Sequence, residues 1–267
     1  MSSEEGLLPV IDVAQLLSRG CDSTAKVGIG ASSKLHEETI KGLSRLGCGV
    51  RLIRFRNTKE LIRALKSSEL DAAVRGTLSS GEAIRSLKLE FGLNRVMRTA
   101  IMESDQGKSF LLTPVGIDEG STVDARLELV ENTLSYFSRV RWKPKIGILS
   151  KGRLDDVRRG EEIRTSIEEG ELLAKELRSR GHAAKHYGIL IEDALKNVDL
   201  IVAPDGVSGN LIFRSIYFVG GGKAFGAPVI NLERVFVDTS RAKANFSDSV
   251  IIAAGLAKTT TLKRSRA

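Results

Sequence analysis

The chain has 267 residues, of which 42% are hydrophobic and 28% charged, and its formal net charge is +8. These values are typical of a globular protein with one large or two smaller domains, and they exclude a largely disordered chain. No apolar run approaches the roughly 18–20 residues that a membrane span needs. The polar segment Met1–Gly6 lacks the pattern of a secretory signal. We therefore expect a cytoplasmic protein.

The positive charge is compatible with a nucleic acid or with a small anionic ligand. Aromatic residues make up only 5% of the chain and do not alternate with basic ones, so a base-stacking surface has no support. The basic segment Lys258–Arg266 is typical of a solvated tail. We expect a small-molecule substrate with an anionic group.

Cysteine and histidine residues are few. Cys21 and Cys48 are expected to be free thiols in a cytoplasmic protein. His182 and His186 are four residues apart and could share a helix face, but no cysteine or carboxylate cluster accompanies them. The sequence therefore predicts no metal site.

Short apolar runs alternate with segments of helical periodicity along most of the chain. The runs predict strands at Lys26–Gly30, Gly49–Phe55, Asp71–Val74, Val96–Met102, Phe110–Val115, Lys145–Leu149 and Leu200–Ala203, of which the fourth and fifth are placed to form an antiparallel pair. The periodic segments predict helices at Ser33–Leu46, Thr58–Leu65, Thr122–Val140, Glu161–Arg180 and Leu211–Val219, and a last helix from about Ser247. Such alternation predicts an α/β fold of parallel βαβ units, in which ligands bind at the carboxyl ends of strands.

Two turns that follow predicted strands contain residues suited to anions. The turn Val27–Ser33 has two glycines but an incomplete dinucleotide fingerprint, and we favour an ordinary βα turn there. The turn after the third strand holds a guanidinium and hydroxyls that suit a phosphate, and its candidate ligands are Arg75, Gly76, Thr77 and Ser79. An anion site and simple helix capping remain open alternatives for this turn.

The segment Asp199–Gly226 is the most informative part of the sequence. A buried strand leads directly to Asp205, two glycines follow, and Asn210 lies near the start of an apolar helix. We interpret Asp205 and Asn210 as substrate-binding residues that line a cleft. The alternative is a structural Asp–Asn turn.

This Pro-Asp-Gly-x-x-Gly-Asn run, with the glycine-rich turn Gly220–Gly226 after its helix, resembles the phosphate acetyl/butyryl transferases and the phosphate acyltransferases of lipid synthesis. The segment Asp238–Arg241, followed by Asp248, resembles the Ser-Arg pair and downstream aspartate of phosphotransacetylases. Ala242 stands where those enzymes have glycine, and Asp248 comes one residue later than their spacing. As a whole, the chain resembles a methanogen branch of this fold, the methanogenesis marker family also called methyltransferase subunit X.

The resemblance implies a two-domain, parallel-rich, three-layer αβα fold of the phosphotransacetylase and isocitrate-dehydrogenase-like type. Domain one would comprise 1–141 and 231–267, and domain two would be the inserted segment 142–230, with the junction at Arg141–Pro144. Ser240, Arg241 and Asp248 would be the catalytic residues, in a cleft between the domains. Arginine suits a phosphate or sulfonate, serine can donate to developing charge, and aspartate can act as a base toward a thiol. The alternative is that these residues cap turns and begin a helix.

The resemblance also implies a group transferase, expected to be a subunit of a methyltransferase system linked to methyl-tetrahydromethanopterin and coenzyme M. Coenzyme A, coenzyme M or a tetrahydromethanopterin derivative would be its cofactor, and other methyltransferase subunits its partners. A phosphate acyl- or acetyltransferase and a non-catalytic cofactor- or partner-binding subunit are the alternatives. The predicted helix Leu211–Val219 is apolar on nearly all sides, which predicts a homodimer formed through domain two.

Overall fold

A computed structural model describes residues 12–138 and 143–264, with the side chains of the last helix described up to Lys258. The segment Met1–Gly6, half of the predicted junction Arg141–Pro144 and the side chains of the basic segment after Lys258 lie outside this description. In the described part of the chain, no helix combines the length and the hydropathy that a membrane crossing requires.

Strands and helices alternate as the sequence predicts. The strands are β1 (Lys26–Gly30), β2 (Arg51–Phe55), β3 (Ala72–Val74), β4 (Ala100–Glu103), β5 (Ser109–Thr113), β6 (Lys145–Ile148), β7 (Ala183–His186), β8 (Leu200–Val202), β9 (Lys223–Pro228) and β10 (Val235–Asp238). The helices are α1 (Val13–Cys21), α2 (Ser33–Arg45), α3 (Thr58–Lys66), α4 (Ser80–Phe91), α5 (Val123–Phe137), α6 (Glu161–Ser179), α7 (Ile191–Asn197), α8 (Gly206–Phe218) and α9 (Ser247–Arg264). Strands β7, β9 and β10 have no counterpart among the predicted strands.

The chain forms two compact units. The first unit consists of Val13–Ile101 and the chain from Ala224 onward, and the second consists of Met102–Lys223. In the first unit the strand order is β2-β1-β3-β10-β9, with parallel pairing except between β10 and β9. Helices α3 and α4 pack on this sheet through a core that includes Leu61, Leu87 and Phe236, and α9 contacts β1, β3 and β10.

The second unit contains the strand order β4-β5-β8-β6-β7. Strands β5, β8, β6 and β7 pair in parallel, for example Leu111 with Leu200 and Ile146 with Ala184. Strands β4 and β5 are neighbours joined by a short turn and therefore run antiparallel, which confirms the predicted pair. Both units thus belong to the α/β class that the alternating pattern predicts.

The compact units and the predicted domains have different bounds, and the domain division stays a prediction. Strand β5 pairs with β8, and helix α5 packs against α6, so the described residues from Met102 onward belong with the second unit. The predicted domain two, 142–230, omits these elements. In both divisions one part is discontinuous, and the chain returns to it before its last helix.

The prediction of free thiols is wrong. Cys21 and Cys48 form a disulfide in the first unit, and no free cysteine is present. Cys21 is the last residue of α1, and Cys48 lies in the turn before β2. The hydrophobic periodicity of the sequence does not reveal that this helix end and this turn are neighbours. Asn57 caps α3 by accepting a hydrogen bond from the Glu60 N–H at 2.8 Å.

Helix α8 begins earlier than predicted, and several of its apolar side chains are exposed. Leu211 and Val219 are 60% and 86% exposed, and Val207 and Phe218 are exposed as well. An apolar helix of this kind fits an interface. The homodimer stays a prediction.

Candidate functional site

The carboxyl ends of β1, β3 and β10 lie side by side in the first unit, because these strands pair in parallel. The turn after β3 begins with Arg75, and the turn after β10 contains Ser240 and Arg241. Two of the sequence-predicted site segments are therefore brought to one edge of one sheet.

Arg75 is buried and engaged by the protein itself. Its guanidinium donates to the Asp238 carboxylate and to the carbonyl oxygens of Leu78 and Thr239. Asp238 also accepts from Arg98 Nη1 at 2.9 Å. Burial, the largest single effect, disfavours the charged carboxylate, but the charges and hydrogen bonds of the two arginines outweigh it and hold the pKa of Asp238 below its usual value. Arg75 thus ties the turn after β3 to the turn after β10.

The rest of the β3 turn faces outward. Gly76 has a φ of +61°, and a Cβ there would lie 2.1 Å from the Gly30 oxygen, so only glycine fits. Thr77 and Ser79 are exposed. Ser79 precedes α4, but its side chain makes no capping hydrogen bond. Thr77 Oγ1 donates to the Gly30 oxygen at 3.4 Å, so the Ser79 hydroxyl and an N-terminus without a side-chain cap are what this turn offers a ligand.

Arg241 is an exposed cation at the same edge. It makes no hydrogen bond or ion pair within the described part of the chain, although Asp238 and Asp248 are both in its segment. The neighbouring Ser240 accepts a hydrogen bond from the Ala242 N–H at 3.3 Å. Arg241 therefore has its full donor set free for an anion.

Asp248 pairs with a lysine that the sequence analysis missed. Lys243 Nζ lies 2.7 Å and 2.8 Å from the two Asp248 oxygens, and it also donates to the Ala224 oxygen at 2.6 Å and to Ser249 Oγ at 3.1 Å. Burial lowers the pKa of Lys243, and the charge of Asp248 opposes that change. The only sequence signal for this pair was a lone lysine between alanines, five residues before an aspartate.

In the second unit, Asp205 follows β8 at its carboxyl end, as predicted. Its Oδ1 caps α8 by accepting from the Ser208 N–H at 2.7 Å, and its Oδ2 lies 3.3 Å from Lys151 Nζ. Burial alone would raise the pKa of Asp205, but the hydrogen bonds from Ser208 and the charge of Lys151 lower it. Lys151 also pairs with Glu162 at 2.8 Å. Asp205 therefore has partners of its own, and the cleft assigned to it stays a prediction.

The glycines and Asn210 that follow Asp205 contact the chain itself. A Cβ on Gly206 would lie 1.7 Å from the Gly116 oxygen, and one on Gly209 would lie 1.8 Å from the Pro114 oxygen. Asn210 Nδ2 donates to the Val115 oxygen at 3.0 Å. The motif thus packs α8 against the turn after β5, which accounts for its glycines without a ligand.

A serine, a histidine and a glutamate adjoin this region. His186 Nε2 lies 2.9 Å from Ser150 Oγ, and His186 Nδ1 lies 3.5 Å from the Glu171 carboxylate. Burial lowers the pKa of His186. Ser150 is only 2% exposed, and its hydroxyl also contacts the Gly152 oxygen at 3.1 Å, so the arrangement is closed to a substrate. His186 ends a strand and does not share a helix face with His182.

The predicted residues thus fall into two groups. The first unit holds Arg75, Gly76, Thr77, Ser79, Ser240, Arg241 and Asp248, and the second holds Asp205 and Asn210. Among the described residues, no group of three histidine, cysteine or carboxylate side chains is placed to hold a metal ion.

Two curated relatives match most of the chain, whereas no family model matches it. A protein of Methanosarcina mazei named "Putative methyltransferase mtx subunit X" is 38% identical over 217 residues, which cover 81% of this chain and 78% of the relative. The protein of the same name from Methanosarcina barkeri is 41% identical over 198 residues, which cover 74% of this chain and 73% of the relative.

Solved structures show the same fold. A branched-chain phosphotransacylase from Enterococcus faecalis superposes with a TM-score of 0.67 at 18% identity, covering 87% of this chain and 99% of that one. A phosphotransacetylase from Streptococcus pyogenes gives a TM-score of 0.65 at 16% identity, covering 93% of this chain and 99% of that one. At these identities the likeness establishes the architecture alone.

Proposed function

The chain belongs to the family of methanogen proteins named methyltransferase mtx subunit X, and from this premise we propose that it is a group-transferase subunit that binds an anionic donor or thiol cofactor at Arg241. The transfer would belong to a methyltransferase system linked to methyl-tetrahydromethanopterin and coenzyme M, with other methyltransferase subunits as partners. Coenzyme M, coenzyme A and a tetrahydromethanopterin derivative are the candidate cofactors.

The observation that carries this proposal is the unpaired Arg241. A guanidinium binds phosphate or sulfonate oxygens through two parallel hydrogen bonds. Ser79 offers a hydroxyl on the adjoining turn, and Ser240 offers a second beside the arginine. In this proposal Arg75 is not a ligand, because its guanidinium is used to tie the two turns together.

The test compares Arg241→Ala, Arg241→Lys and an exposed arginine elsewhere on the first unit, Arg45→Ala, in calorimetric titrations with inorganic phosphate and coenzyme M. A charge-assisted hydrogen bond contributes roughly 1.5–3 kcal/mol, so Arg241→Ala should weaken binding by about one to two decades. Arg241→Lys should restore part of the affinity, because lysine lacks the planar fork. Arg45→Ala should change nothing, and an unchanged affinity in Arg241→Ala would refute the proposal.

Cofactor choice is tested by thermal stability in the presence of each candidate ligand. A ligand at a hundred times its dissociation constant adds about 2.7 kcal/mol of stability. Stabilisation by coenzyme M or a tetrahydromethanopterin derivative supports the methyltransferase assignment. Stabilisation by coenzyme A and acyl phosphates, together with acyl transfer, supports the alternative of a phosphate acyl- or acetyltransferase.

A non-catalytic subunit is a second candidate, and the Lys243–Asp248 pair favours it. The resemblance assigns Asp248 the part of a general base, yet both of its oxygens contact a buried ammonium. The role of Asp248 as a base stays a prediction. Cofactor binding without methylation of coenzyme M by the chain alone, and with methylation once partner subunits are added, would support a binding subunit.

A further inference from the structure

The segment between β10 and α9 carries two cations with opposite surroundings. Arg241 is exposed and makes no ion pair within the described residues, whereas Lys243, two residues later, is buried with a side chain only 7% exposed. Both precede Asp248, the acidic residue in the first turn of α9. Of the two cations, Lys243 is the one that pairs with this carboxylate.

Lys243 uses its whole hydrogen-bonding capacity. An ammonium has three N–H donors, and Lys243 Nζ contacts the Ala224 oxygen, Ser249 Oγ and the Asp248 carboxylate. The Ala224 oxygen belongs to β9, so the lysine is anchored to the sheet and not only to its own turn. This anchorage fixes the position of the ammonium and hence of the carboxylate that it binds.

Asp248 is held from two sides. One oxygen accepts from the Ser249 N–H at 2.7 Å, and both oxygens contact Lys243 Nζ. Its side chain is nevertheless 38% exposed, so the carboxylate borders on solvent. Without Lys243, this carboxylate would face solvent with Arg241 as the nearest arginine along the chain, and arginine–carboxylate pairs readily form two hydrogen bonds.

We propose that Lys243 is a positioning residue, which holds Asp248 and thereby keeps Arg241 free for an anionic ligand. The inference rests on the proposed function, because it requires that Arg241 binds the anion. It assigns the Lys243–Asp248 pair a part in ligand selection, since Lys243 already neutralises Asp248, the acid that follows Arg241 in the same segment.

The experiment measures the affinity for inorganic phosphate in Lys243→Met and in the double variant Lys243→Met/Asp248→Asn. Methionine keeps the length of the side chain without the charge, so Asp248 becomes free to pair with Arg241. We expect Lys243→Met to bind phosphate about tenfold to thirtyfold more weakly. The double variant should recover to within about threefold of the unaltered chain, because the competing carboxylate is gone.

A purely structural lysine predicts a different pattern. If the pair only holds the segment in shape, removing both partners cannot restore affinity, and a double variant as weak as Lys243→Met would overturn the inference. Affinities are taken per folded molecule, with the melting temperature measured for each variant. If Lys243→Met does not fold, the double variant alone decides, and phosphate binding more than about tenfold weaker than in the unaltered chain would overturn the inference.

Arg241→Ala separates this inference from the proposed function. Weaker binding in Arg241→Ala without rescue in the double variant overturns only the role of Lys243. Unchanged binding in Arg241→Ala overturns the anion site itself and the role of Lys243 with it.

Discussion

The carboxyl ends of the strands differ between the two units in what their charged residues do. In the second unit, Asp205 caps its own helix and pairs with Lys151, and the nearby glycines pack on the turn after β5. In the first unit, Asp238 and Asp248 are neutralised by buried cations, and Arg241 is left over. A charged residue with internal partners stabilises the fold, whereas the exposed Arg241 carries the proposed anion site.

The largest loss of unfolding free energy is expected from breaking the buried ion pairs of the first unit. Asp238→Ala would leave Arg75 and Arg98 buried without their carboxylate, which should cost about 3–5 kcal/mol of unfolding free energy. In the second unit, Glu162→Ala breaks the pair with Lys151, but the Glu162 side chain is 80% exposed, so the loss should stay below about 1 kcal/mol. Urea denaturation of both variants measures the contrast.

Similar losses in these two variants would contradict this reading. A small loss for Asp238→Ala would mean that the Leu78 and Thr239 carbonyls satisfy Arg75 without the aspartate.

The disulfide is the next largest expected contribution, and it also belongs to the first unit. Cys21 and Cys48 are 27 residues apart, and closing a loop of that length stabilises a chain by about 3–4 kcal/mol in the chain-entropy model. The double variant Cys21→Ser/Cys48→Ser should lose about that much stability. Hydrogen exchange should accelerate in β1 and β2 more than in β6 and β8.

Thiol titration provides the direct check. The unfolded, unreduced chain should show no free thiol, and a reductant should leave the stability of the double serine variant unchanged. Two reactive thiols per chain would overturn the disulfide.

The second unit should lose most stability from a substitution where α8 contacts the backbone of the turn after β5. A methyl group at Gly209 would lie 1.8 Å from the Pro114 oxygen, so Gly209→Ala should cost about 1–3 kcal/mol or more through the forced shift of α8. Gly81→Ala is the matched control in the first unit, because its Cβ would meet nothing closer than 3.7 Å. Inside α4, this change should stabilise the chain by up to about 1 kcal/mol. A neutral Gly209→Ala would show that α8 moves freely against the turn.

The sequence predicted the architecture well, because the hydrophobic period and the caps are local signals. The helix predicted from Thr122 is found as α5, and the predicted strand Lys26–Gly30 coincides with β1. Strands β7, β9 and β10 were missed, since β7 alternates buried and exposed residues over only four positions. The disulfide could not be read from spacing, because it depends on which turns lie side by side.

The site was predictable only in part. The segment of Ser240 and Arg241 was found through its resemblance and its place after a strand, but Arg75 was interpreted as a ligand where the structure shows a buried tie to Asp238. The pairing partners Arg98 and Lys243 were missed because their acids are far away in sequence or separated by a turn. Asp205 illustrates the opposite case, since a motif that resembles a binding site serves to cap and pack a helix.

The smallest predicted effect concerns pH and the histidine of the second unit. Burial lowers the pKa of His186 below 6.5, while the charge of Glu171 opposes that change. The folded chain then binds fewer protons than the unfolded chain between the folded pKa and 6.5, so stability rises with pH across this window and is lost as the pH falls below 6.5. The slope of unfolding free energy against pH can reach about 1.4 kcal/mol per pH unit.

Glu171 also pairs with Arg178 at 2.8 Å, which limits the ability of Glu171 to stabilise an imidazolium. His186→Gln should therefore flatten the dependence of unfolding free energy on pH between 7 and 5.5. If His186→Gln kept the full slope, the Ser150–His186–Glu171 cluster would not be the acid-sensitive element of the second unit, and its neutral, closed form would lose its main support.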